Sequence, residues 1–210
     1  MDNPPLPSPT KIPVPSQLKS HVHWADHLVT EFTKETDRAA VILATSIFES
    51  RLDTLLRRTF APTTNDQDEL LDGPLAPLSN LSSKIDAAYR LGLISLRFAR
   101  DLHTIRRIRN LFAHNLEGCT FEQSSVKIKV EELRTSSAEI FKSSKLVRLS
   151  ATPPGTRRDF LLVCSWMLWA LESKITEAQS VGSAAAEFGY FPDPDSEPPQ
   201  QLQSPTPSSG

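Results

Sequence analysis

Arg109, Asn110 and His114 are the residues of this 210-residue chain whose types and spacing can do chemistry. An imidazole can act as general acid or base toward a ribose 2′-hydroxyl, while a guanidinium stabilises charge on the neighbouring phosphate. Asn110 would help orient the scissile group. Together the three would cut RNA without a metal. Arginine and histidine five residues apart project about 140° from one another on an ideal helix. They converge only where the helix ends or distorts, or where a second copy of the chain supplies the other half.

The same arginine has a structural reading. Phe98, Leu102, Ile105 and Phe112 follow the spacing of one buried helical face, and Arg109 occupies the missing place in that row. Burying a guanidinium is costly unless a partner offsets its desolvation. Arg109 therefore calls for a carboxylate, with Glu49 and Asp53 the expected partners in an ion pair, or for a polar cavity that binds something. His114 would then interact with the carbonyls of its own helix end. Arg97, Arg100, His103, Arg106 and Arg107 lie away from the apolar row with few compensating acids. They read either as a solvated face or as a patch for a protein partner or for the phosphates of RNA or DNA.

Other chemistry finds little support. The chain has no glycine-rich phosphate loop, no Cys-x-x-Cys, no His-Glu-x-x-His and no Gly-x-Ser-x-Gly elbow. His21, His23 and His27, with Asp26, could gather a metal, but beside a proline-rich segment exposed histidines are the plainer reading. Asp66, Asp68, Glu69 and Asp72 lack the glycine and spacing of a calcium loop. No metal and no cofactor is expected. Cys119 and Cys164 are too few for a disulfide scaffold and fit a reducing compartment. A net charge of -2 gives no global footprint for nucleic acid. The start has no signal-peptide pattern, and the apolar run from Phe160 to Leu171 is too short to span a bilayer. A soluble, cytoplasmic protein without membrane contact is the expectation.

The elements that must position these residues are helical. Thr36 is placed to cap a long helix through Phe60, with Val41, Ala44, Phe48, Leu52 and Leu55 as its core stripe. Ile42, Leu43, Ile47 and Leu56 widen that stripe over most of the circumference, which marks the central helix of a bundle. A shorter helix from about Leu81 to Leu91 follows, with Gly92 as a left-handed cap. Ser95 caps the arginine-bearing helix, which runs to Asn115. Thr120 to about Leu133 forms a short helix, and Arg134 to Gly155 is ambiguous, with extended structure around Lys145 to Leu149. The last helix, from about Thr156 to Ala178, carries two apolar rows: Phe160, Cys164, Met167 and Leu171, and opposite them Leu162, Trp166 and Trp169. The second row is explained by burial at the bundle centre or by a dimer interface. The fold class is all-α, a single compact helical bundle over residues 18–181. Pro- and Ser-rich tails, 1–17 and 182–210, are expected to be disordered.

Three blocks carry a family resemblance: Glu35-Thr36-Asp37-Arg38-Ala39-Ala40, then Gly73-Pro74-Leu75 with the stretch from Lys84 to Ile94, then Asp101-Leu102 with the stretch from Arg106 to His114. In this order they resemble the mannitol operon repressor-like family of compact helical bacterial proteins, over about residues 24–178. The last block also fits the Arg-x4-His signature of the wider HEPN superfamily. The resemblance implies repression of sugar-uptake operons, yet no helix-turn-helix, zinc finger or basic arm is present to read DNA. A regulatory binding protein, homodimeric, acting through a protein partner or a noncanonical nucleic-acid surface, is therefore the leading expectation. The alternatives are a HEPN-type metal-independent ribonuclease, toxin-like, using Arg109 and His114, and an inactive helical scaffold. The long proline-rich tails depart from the compact family pattern.

Overall fold

A 23-residue helix, α1 (Asp37–Thr59), packs against three others and forms the axis of the structure. Its start is set locally: the Thr36 hydroxyl accepts the Ala39 N–H, and Asp37 in the first turn complements the helix dipole. The computed structural model describes residues 32, 34–63, 65–115, 118–142 and 153–182. Within them the other elements are α2 (Leu81–Arg90), α3 (Leu96–His114), α4 (Ser124–Ser136), α5 (Ala138–Lys142) and α6 (Thr156–Glu177). No strand occurs among the described residues, and the all-α bundle is the observed fold. Both proline-rich tails, apart from Gly182, and the segment around Lys145 to Leu149 lie outside the described residues, as do His21, His23, Asp26 and His27.

α1 contacts α2, α3 and α6, while α4 closes the other side by packing on α3 and α6. Val41, Ala44, Phe48, Leu52, Leu55 and Leu56 are buried at that junction. Asn80 and Ser95 cap α2 and α3 through their side chains, accepting from Ser83 and Phe98 N–H groups respectively. Gly92 turns the chain between these helices at φ +72°, a conformation that favours glycine.

One aromatic chain joins the far ends. Phe121, in the loop before α4, has its ring centroid 5.3 Å from those of both Phe112 on α3 and Phe160 on α6. Its backbone N–H donates to Asp37, whose other carboxylate oxygen holds Arg157 of α6. Asp37 thus ties the start of α1 to two distant parts of the chain. The acidic loop after α1 is held in a comparable way, because Arg57 pairs with Asp53, Asp68 and Asp72. Hydrogen bonds from Arg57 keep the Asp72 carboxyl below the usual carboxylate range.

Candidate functional site

The rotation of α3 decides where its polar residues go. Ala99, Asp101, Leu102, Thr104, Ile105, Ile108 and Phe112 are buried, and Phe98 is only partly so. The buried face is centred on Ile105, Ile108 and Phe112, about 60° round the helix from Arg109. Arg109 is accordingly a partly buried flank residue, not the missing core residue of the row. The cause is α4, which packs on α3 from the side of Asp101 and Thr104, where Ser136 meets Asp101, and draws the buried face that way.

The expected ion pair of Arg109 with Glu49 or Asp53 does not form. Those carboxylates face Lys84 of α2, whose Nζ lies 3.1 Å from Asp53 and 3.8 Å from Glu49. Lys84 reaches them because it stands beside Ile85 in the buried row of Leu81, Ile85 and Ala88, a spacing that presses the lysine against α1. A core cation paired with these acids does exist, but it is the lysine. Arg109 donates one long hydrogen bond, 3.4 Å, to Asn110 Oδ1.

Arg109, Asn110 and His114 share one continuous helix that ends at His114. Arg109 lines a hollow of about 290 Å³ between α1, the start of α2 and α3, together with Arg106. His114 is exposed and lines a different, wider hollow with Arg107, Asn115 and Lys129 of α4. Asn110 borders both. Within one chain the guanidinium and imidazole therefore do not converge on a common reacting atom. Lys129 was not singled out from the sequence, since its place depends on how α4 docks. Arg38, 77 residues away in sequence, donates from its guanidinium to the Asn115 carbonyl and satisfies the end of α3.

The basic face divides. Arg97, Arg100 and Arg107 are exposed and border a hollow with Thr104, Glu132 and Ser136. Asp101 at its floor accepts a hydrogen bond from Ser136 Oγ at 2.8 Å. Burial pushes the Asp101 carboxyl above its ordinary range, against the pull of Ser136 and Arg97. Arg106 turns the other way, to Arg109, and His103 Nε2 meets Asp86 of α2 at 3.0 Å. On α6 the row of Leu162, Trp166 and Trp169 also divides. Leu162 is buried within the chain at 7% exposure, whereas Trp166 is 38% exposed and stacks on the partly buried Trp169. Leu162 thus contributes no surface to an interface.

Among the described residues no three His, Cys, Asp or Glu side chains are grouped to hold a metal. No helix among them is long and apolar enough to cross a membrane. Cys164 is buried in the core, and that burial pushes its thiol far above the ordinary range. Such a thiol makes a poor nucleophile at neutral pH.

No family model matches the chain, and no curated protein matches it in sequence. The structure is similar to a chain in the X-ray structure of the MtlR-HPr complex from Escherichia coli, with a TM-score of 0.52 at 17% identity. The similarity covers 73% of this chain and 99% of that one. At this identity the likeness establishes a shared fold, which is the level at which it agrees with the family resemblance read from the sequence.

Proposed function

We propose that this protein is a regulatory binding protein of the cytoplasm that acts through a protein partner, with the exposed arginines of α3 as the contact surface. One observation carries the reading: Arg97, Arg100 and Arg107 stand open on one flank of α3. The residues with catalytic potential are meanwhile divided between two hollows. Three exposed arginines outnumber Asp101, which is buried at the floor, and Glu132 beside them, and this favours an acidic partner surface, because complementary charge speeds encounter and excludes wrong partners. The shared fold adds support, since the similar chain comes from a protein–protein complex. Repression of an operon would follow from that contact and not from direct reading of DNA bases.

The test is to cross-link the full chain in its native cells and compare it with the Arg97→Glu, Arg100→Glu, Arg107→Glu variant. One protein recovered in near-stoichiometric amount by the wild type and lost by the variant is the expected result. Recovery of nucleic acid in place of protein, or a partner indifferent to the charge reversal, overturns the reading.

A second surface belongs to the same proposal. The Trp166–Trp169 stack, with ring centroids 4.6 Å apart, is assigned to self-association. Trp166→Ala with Trp169→Ala should shift the species from dimer to monomer by light scattering. A wild type already monomeric at micromolar concentration removes this part.

A ribonuclease remains the second reading for one reason: Asn110 borders both hollows, so a second copy docked at the end of α3 would bring its His114 toward Arg109. RNA degraded in the presence of a chelator, and left whole by His114→Ala, would replace the binding reading with this one.

A further inference from the structure

We propose that the hollow between α1, α3 and the start of α2 is a binding site for a small phosphomonoester, held by Arg106 and Arg109. The first argument is the state of the two guanidiniums. Arg106 Nε is shielded from solvent and meets no acceptor, and among the described residues Arg106 makes no hydrogen bond or ion pair. Arg109 makes only the 3.4 Å contact to Asn110. Each guanidinium carries about five N–H donors in a planar fork. Two partly buried forks, nearly all of whose donors the protein leaves unused, border the same concave space.

The second argument is the balance of charge around that space. Glu49 is the acid on the wall, and its carboxylate faces Lys84 Nζ at 3.8 Å. Lys84 is also held by Asp53 at 3.1 Å, so these two offset one another and the two arginines outnumber the one acid of the wall, leaving one cationic charge in excess. A tetrahedral dianion with three terminal oxygens suits two forks better than a planar carboxylate does. The opposite wall brings Ser79, Asn80 and Ser82, at the start of α2. There Asn80 Oδ1 takes the Ser83 N–H, while the Leu81 and Ser82 N–H groups have no helical acceptor and the dipole favours an anion.

Size and shape choose between ligands. The hollow holds about 290 Å³ and is walled by three elements. That lies at the low end for small-molecule sites, about 300 Å³ and upward, and suits a phosphate bearing a few carbons. A polymer would need an open track, and the open arginines are on the other flank. The hollow shares no lining residue with the partner contact proposed above, so the two sites are separate.

The experiment is calorimetric titration of the full chain with inorganic phosphate and with glycerol 3-phosphate, at constant ionic strength against chloride. Saturable binding at one site is expected, tighter for the ester. Arg106→Gln and Arg109→Gln should each weaken it by about tenfold. Glu49→Gln should tighten it, and Arg90→Gln, at the far end of α2, should leave it unchanged. Helix content by circular dichroism shows that each variant is folded, and Ser82→Glu, which places a competing anion at the rim, should block binding with both arginines intact. Failure of the wild type to saturate, or binding unchanged in the double arginine variant, overturns the site. Equal affinity for the two probes overturns the monoester assignment. Because no partner is present in this titration, its failure leaves the partner reading standing.

Discussion

Phe121→Ala is expected to lower the stability of the fold by about 3–5 kcal/mol, read as a lower denaturant midpoint at unchanged slope. The ring is 2% exposed and lies between Phe112 and Phe160 at 5.3 Å from each. Truncation removes the transfer free energy of the ring and both aromatic contacts, the latter about 0.5–1.5 kcal/mol each. The gap cannot close readily, because its walls belong to α3 and α6, long helices packed against other elements. The backbone N–H of Phe121 is also anchored to Asp37, which limits how far the loop can sink inward. Phe121→Leu, which refills part of the volume, should cost roughly half as much. A loss under about 1 kcal/mol for the alanine variant would show that Phe121 does not hold α3 and α6 together as described.

Lys84→Glu is the second large effect, about 3–5 kcal/mol of destabilisation measured the same way. The lysine side chain is 8% exposed, and its ammonium group lies within reach of Asp53 and Glu49. A glutamate there would place three carboxylates in one half-buried cluster. Lys84→Met should cost less, about 1–2 kcal/mol. Asp53 keeps its contact with Arg57 Nε at 2.7 Å, and Glu49 is 37% exposed and can turn to water. The contrast between the two variants is the informative quantity. Equal losses would mean that removal of the ammonium, common to both variants, sets the cost and that the added carboxylate does not.

These effects bear on how much of the molecule was legible in its residues. Thr36, Ser95 and Gly92 were readable because caps and left-handed turns are local: the hydroxyl, the N–H it satisfies and the φ angle lie within a few residues. The stripe from Val41 to Leu55 was readable because its five members recur on one face and α1 is covered there by three helices, whereas Leu43, read as part of the apolar surface, is 41% exposed. α3 lacked that protection. Its apolar row and its true buried face differ by part of a turn, and α4, docking from elsewhere in the chain, decides between them. The principle that a cation in a helical core row needs an acid was sound, and Lys84 satisfies it beside Leu81, Ile85 and Ala88. Its application to Arg109 failed because Ile108 holds the position in the seam. The division of Arg106 from Arg97, Arg100 and Arg107 was likewise hidden, since their facing walls come from α1, α2 and α4.

The stacked indoles of α6 give the molecule a native optical gauge. Rings 4.6 Å apart and tilted by 36° couple their electronic transitions, so the pair contributes a circular-dichroism signal that isolated tryptophans lack. Trp166 sits at the water boundary, and its emission colour responds to whatever covers it. Occlusion of this surface, by a twin molecule or by anything else, is thus written into the protein's own spectrum without an added label.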